Sequence, residues 1–226
     1  MLQLPKTGFI YLLKAFCFSV RILYNFITKR KKTAMTQTNL AIAVNLIKAT
    51  IKEFSEKSNL IIAIDGPCAS GKTTLANDLK EQISCNAISV DDFFLQPHQR
   101  TQERLNTIGG NFDIERFLNE VIRPLKSNTV FSYRPFDCRT GELSAPVNIE
   151  IKPITLIEGV YSCHPELQDY YDYRIFLKTD KKTQLKRLEE RNPRLLNRFI
   201  TEWIPMEDKY FSTFDIESKC DLIIEI

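Results

Sequence analysis

Glycine is scarce in this chain, with 7 residues in 226, and histidine scarcer still, at His98 and His164 alone. The six cysteines (Cys17, Cys68, Cys85, Cys138, Cys163 and Cys220) include no C-x-x-C pair, and neither histidine stands near them at zinc-ligand spacing. That scatter speaks against a zinc site and a disulfide framework, and it fits a reducing, cytoplasmic setting. A formal net charge of +3 gives no argument for a nucleic-acid or membrane surface. Internal repeats and low-complexity stretches are missing too. A chain of this length with 43% apolar residues buries one good core, alone or with an appendage.

Against so little glycine, one segment stands out. Gly66-Pro67-Cys68-Ala69-Ser70-Gly71-Lys72-Thr73 has the spacing G-x-x-x-x-G-K-[ST] of a phosphate-binding loop, and Thr74 follows it. Leu60 to Ile64, just before it, is an apolar run rich in β-branched residues and reads as a buried parallel strand. After it, Leu75, Leu79 and Ile83 recur on one face of a helix. A strand delivering the chain to a helix N-terminus supplies backbone N–H groups and partial positive charge for phosphates. Lys72 then reaches the β- and γ-phosphates and the Thr73 hydroxyl ligates Mg²⁺, so the chain is expected to bind ATP (or GTP) with magnesium. Cys68 inside the loop reads as a position open to any small residue.

Residues 1–34 differ from the rest. Gly8 to Ile27 is mostly apolar and aromatic, and Lys29-Arg30-Lys31-Lys32 follow. Lys14 and Arg21 interrupt the apolar run, and each charge near a helix centre costs about 2.5–3.5 kcal/mol on insertion scales. No small-residue cleavage site marks a signal peptide. Met35 makes a natural start, so an over-extended gene start is the favoured reading, ahead of a membrane-surface segment and a spanning helix. In residues 35–58, Leu40, Val44, Ile47, Ile51 and Phe54 give one apolar helix face that packs on a core spanning 59–226.

Beyond the loop, short apolar runs alternate with helical patterns. Ala87 to Val90, Ile154 to Ile157, Tyr173 to Leu177 and Asp221 to Ile226 read as strands, and 112–125 and 181–190 as helices. Thr129 to Tyr133 and Val147 to Ile151 read as a paired excursion with a turn at Arg139 to Glu142. The alternation predicts an α/β fold, a three-layer parallel sheet with helices on both faces. Ligands gather at the carboxyl ends of such strands, where Gly66, Asp91 and Glu158 all fall.

Phosphoryl transfer needs a metal, an acceptor base and positive charge on the moving group. Asp91 either accepts the acceptor's proton or caps a helix beginning at Asp92. Glu158 either helps hold magnesium in the manner of a Walker B acid or is a turn carboxylate. Arg187, Arg191, Arg194 and Arg198 step by four, three and four, with Asn192-Pro193 in between; they form either an arginine-bearing lid over the phosphates or a solvated face.

From Leu60 to Ile226 the chain resembles the uridine kinase branch of the P-loop kinases, a group that includes phosphoribulokinase and bacterial pantothenate kinase. The resemblance rests on GPCASGKTT, Asp91-Asp92-Phe93-Phe94, Gly110-Asn111-Phe112-Asp113, Ile157-Glu158-Gly159, and the arginines followed by Trp203-Ile204-Pro205. It implies the P-loop NTPase fold with a short lid, and phosphoryl transfer to the 5′-hydroxyl of a nucleoside. By it, Asp91 is the general base, Asp113 holds ribose hydroxyls, Glu158 the magnesium, and Phe94 and Tyr133 lie against the base. Lys72, Arg187 and Arg191 are then catalytic, while Arg194 and Arg198 join the loop in nucleotide binding. Uridine–cytidine kinases carry a histidine shortly after that tyrosine; here stands Phe136-Asp137-Cys138, so uridine specificity does not follow. A pantothenate-like alcohol is the alternative acceptor. A switch NTPase is a further one, although no [NT]-K-x-D, D-x-x-G or L-S-G-G-Q segment occurs.

Overall fold

The computed structural model describes residues 36–226, so the readings on residues 1–34 lie outside the described residues. Short apolar runs form a five-stranded sheet. Its strands are β1 (Leu60–Asp65), β2 (Cys85–Ser89), β7 (Ile154–Glu158), β8 (Tyr173–Lys178) and β9 (Leu222–Glu225), in the order β2-β7-β1-β8-β9 and all parallel. The intervening short strands are β3 (Phe131–Tyr133), β4 (Phe136–Asp137), β5 (Glu142–Leu143) and β6 (Val147–Ile149).

Every residue of β1 is buried, because the strand is covered on both faces. Ile61 and Ala63 point into one cluster with Ile88, Phe93, Phe112, Phe117 and Tyr210. Leu60, Ile62 and Ile64 point into the other, with Val44, Ile47, Leu75 and Leu79. The helix α1 (Thr36–Glu53) thus lays Val44 and Ile47 on the sheet, as its periodicity requires, with Leu40, Ile51 and Phe54 at the margin. The helix after the loop is α2 (Lys72–Gln82). This is the expected three-layer α/β architecture. Among the described residues, no helix is long and apolar enough to cross a membrane.

Two stretches depart from the simple pattern for one shared reason. The helical run 114–126, close to the expected 112–125, passes through Pro124, and a π-turn, Leu118–Ile122, precedes the proline. Further on, a π-turn at Phe199–Trp203 precedes Pro205 at the start of α4 (Ile204–Phe214). Proline lacks an N–H and crowds the carbonyl four residues back. The wider π-turn relieves that conflict, so the chain stays helical.

The excursion between the 114–126 run and β7 is a pair of nested antiparallel ribbons. Tyr133 pairs with Val147 and Phe131 with Ile149, so the two segments read as a paired excursion do pair. Beyond them Phe136 pairs with Leu143, and residues 138–141 form the turn.

Candidate active site

The loop takes its shape from a close approach. Gly66 has φ +142, and a Cβ there would stand 2.2 Å from the Leu177 carbonyl oxygen of β8. Only glycine lets the two backbones meet so closely. No side chain caps the start of α2, so its first N–H groups, at Lys72, Thr73 and Thr74, face the loop mouth without intrahelical partners. Lys72 is 7% exposed, and its Nζ donates to the carbonyls of Gly66 at 2.7 Å and Pro67 at 2.9 Å. An ammonium has three protons, which leaves one for a phosphate oxygen.

The sheet order places the acids. β7 lies between β1 and β2, and Glu158 is in register with Ile64 on one side and Ser89 on the other. Thr73 Oγ1 donates to Glu158 at 3.2 Å from each carboxylate oxygen. Burial raises the Glu158 pKa, Lys72 pulls it down, and nearby Asp91 raises it again. Among the described residues no three His, Cys, Asp or Glu side chains cluster as a metal site. A hydroxyl beside one buried carboxylate nevertheless suits magnesium, which is held by one or two oxygen ligands plus phosphates and water.

Asp91 sits inside a single 3₁₀ turn, Val90–Phe93, that follows β2, and it caps no helix. Its side chain is open to solvent on one side and makes no hydrogen bond among the described residues. Protein crowding on the other sides raises its pKa, and Lys72 and Arg191 lower it. Unlike Asp91, the neighbouring Asp92 accepts a hydrogen bond from Tyr133 Oη at 2.9 Å.

The arginines do not share one helix face. α3 (Lys181–Arg191) ends at Asn192 with φ −153, and separate short turns carry Arg194 and Arg198. Arg187 donates to the loop carbonyls of Ala69 at 3.2 Å and Ser70 at 3.3 Å. The charge of Arg191 acts on Asp91, and its guanidinium lies over the Phe199 ring. Arg194 is exposed, and Arg198 pairs with Glu202 at 2.9 Å over the Trp203 ring. The helix break read from Asn192-Pro193 is thus where the structure has it, and it keeps the four arginines off a single face.

The acceptor-side residues are closely engaged. Asp113 is 2% exposed and caps the 114–126 run through Arg116 N at 3.1 Å. Its other oxygen accepts from Gln99 Nε2 at 2.8 Å, and Arg116 flanks it at 3.6 Å. Tyr133 is 6% exposed behind its bond to Asp92, and Phe94 forms an isolated bridge with Phe112.

Three supports of the loop escaped the sequence reading. Asp65 accepts from Gly66 N at 2.7 Å, Cys163 N at 2.8 Å and Tyr210 Oη at 2.9 Å. Complete burial pushes its pKa up to about 6 even against those donors. Glu207 of α4 accepts from Cys68 N at 2.8 Å, and Gln184 of α3 donates to the Cys68 carbonyl at 3.0 Å. Burial, with Glu207 adding to it, pushes the Cys68 thiol up to about 12, which makes it unreactive. Asp65 left a trace in the sequence, an acid closing an apolar strand one residue before Gly66; Gln184 and Glu207 left none.

No family model matches the chain. It is 29% identical over 168 residues to a uridine kinase of Chlamydia pneumoniae, covering 67% of this chain and 75% of that protein. A uridine kinase of Ureaplasma parvum is 27% identical over 173 residues, covering 68% and 83%. A possible uridine kinase from Bacillus stearothermophilus superposes with a TM-score of 0.64 at 23% identity, over 82% of this chain and 98% of that one. A D-glycerate 3-kinase from Cryptococcus neoformans does so with a TM-score of 0.56 at 15% identity, over 74% and 86%. The chain thus has distant homologues among uridine kinase-like P-loop kinases, and its fold is theirs.

Proposed function

We propose that this chain moves the γ-phosphoryl group of ATP (or GTP) to a hydroxyl of a small metabolite held beside Asp91. The carrying observation is the open, unbonded Asp91 carboxylate, set at the strand end next but one to the phosphate loop. In this reading the acceptor oxygen attacks the γ-phosphorus and its proton passes to Asp91. The bond to the departing ADP breaks, and Lys72, Arg187 and Arg191 oppose the charge on the transferring group. A raised Asp91 pKa brings the base nearer working pH, where general-base catalysis is most effective. Thr73 and Glu158 would hold magnesium, which supplies charge neutralisation at the phosphates. Residues 59–226 carry the chemistry, and α1 supports them from behind. The free thiols at Cys68, Cys85, Cys138, Cys163 and Cys220 suit a cytoplasmic location.

Two acceptor classes have support. The distant uridine kinases favour a nucleoside 5′-hydroxyl. The engagement of Asp113 and Tyr133 in structural bonds favours a smaller alcohol of the pantothenate-like kind. ADP release is to be measured with individual nucleosides, deoxynucleosides and pantothenate. Acceptor-dependent release is expected, whereas hydrolysis indifferent to every acceptor would mark a switch NTPase and overturn the kinase reading.

A further inference from the structure

The turn that carries Asp91 packs against β4 of the inserted ribbon, and the turn Pro97–Gln99 lies by the tip of that ribbon. The two are neighbours: a Cβ on Gly141 would lie 3.5 Å from the Pro97 ring. Arg100 follows that turn. Its Nε donates to the Leu95 carbonyl at 2.9 Å, and its guanidinium lies 5.5 Å from the centre of the Phe136 ring. These two contacts fix the plane of the guanidinium. Its outer edge, carrying both Nη nitrogens, has no hydrogen bond and no carboxylate partner among the described residues.

Nearby acids do not neutralise it. Asp137 pairs with Arg139, Asp92 is bonded by Tyr133, and Asp113 is enclosed by Gln99 and Arg116. The charges of Asp91 and Arg100 both act on the exposed thiol of Cys138 on the ribbon tip. A fixed guanidinium with a vacant fork is suited to a bidentate carboxylate or phosphate. The groups that would meet a neutral nucleoside, in contrast, are turned inward.

We propose that the hydroxyl acceptor carries an anionic group, a carboxylate or a phosphate, and that Arg100 binds it while the hydroxyl faces Asp91. This rests on the kinase reading and sharpens its acceptor class. The full chain with ATP and magnesium is to be assayed with three sets of acceptors. One set is carboxylates (D-glycerate, pantothenate), one phosphates (glycerol 3-phosphate, ribose 5-phosphate), and one neutral (glycerol, ribose, uridine). Turnover is expected in one anionic set only, which identifies the group. Arg100→Gln then raises the KM of that acceptor about 10- to 100-fold, with a much smaller change in kcat and none in the KM for ATP. Turnover of neutral acceptors with the same KM in both proteins overturns the role of Arg100 and leaves the kinase reading standing.

If no acceptor stimulates ADP release, the kinase reading falls, and the anion site is judged separately by alkylation of Cys138 followed by peptide mass. A preference for iodoacetate over iodoacetamide that D-glycerate or inorganic phosphate suppresses, and that Arg100→Gln abolishes, supports the site. The same reagent ratio in both proteins overturns it.

Discussion

The phosphate side and the acceptor side of this cleft are built by opposite means. On the phosphate side the backbone does the work: Gly66 meets β8, α2 presents uncapped N–H groups, and one lysine folds over the loop. A short motif can encode the course of that backbone, because it turns on where glycine stands, although Gln184, Arg187 and Glu207 brace it from more than a hundred residues away. The acceptor side depends on side chains brought from afar. Tyr133 reaches Asp92 across 41 residues, and Arg116 donates to the Asp92 and Arg134 carbonyls at 2.7 and 2.6 Å. Such a wall can change its chemistry without disturbing the loop, which is why a chain can keep the donor machinery of its relatives and differ in what it phosphorylates.

The comparison breaks first at Asp91. Asp91→Asn is expected to slow transfer by about two to four orders of magnitude while nucleotide binding, read by calorimetry, stays close to normal. Turnover unchanged in that variant removes Asp91 from the mechanism. A second test concerns what holds the phosphate side. Asp65 titrates near 6 in the fold against 3.8 unperturbed. Because the folded pKa is the higher one, the folded state gains from protonation. That gain is full below about pH 4 and is lost as pH rises through about 6, a change of about 3 kcal/mol. Urea midpoints measured between pH 4 and 7 should fall more steeply for the native chain than for Asp65→Asn. Parallel profiles would show that the buried carboxylate does not titrate there.

The smallest effect is expected on the acceptor wall. Tyr133→Phe leaves Asp92 without its donor, and a loss of about 1–3 kcal/mol in unfolding free energy follows. The KM for ATP should stay unchanged, since among the described residues no hydrogen bond or ion pair joins the ribbon to the loop. A shift in ATP affinity equal to the shift in acceptor affinity would mean the two sides are one unit after all.

The sheet and the loop were largely legible in the sequence because their signals are local. Leu60 to Ile64 is apolar on every residue and the loop follows at once, while the short runs Thr129 to Tyr133 and Val147 to Ile151 flank a turn and pair. Asn192-Pro193 marked the helix break among the arginines, again a local signal. The widened turn before Pro124 was hidden, because a π-turn has no signature in apolar periodicity. Gln184 and Glu207 were beyond reach, since each meets Cys68 across more than a hundred residues. The expected roles of Asp91 and Glu158 came from their places at strand ends, that of Asp113 from the family resemblance. The structure adds which of these carboxylates is open and which is enclosed.

The grip of Gln184, Arg187 and Glu207 on Cys68, Ala69 and Ser70 also sets an order of events during synthesis. A ribosome delivers the loop sequence early, yet its rear supports arrive more than a hundred residues later, and the Tyr210 bond to Asp65 later again. At about 5–20 residues per second the nascent loop spends several seconds as an unsupported peptide. Nucleotide then has no finished site to bind until the C-terminal helices have left the exit tunnel. A chain cut before α4 would carry the whole motif and still lack the scaffold that holds it in shape.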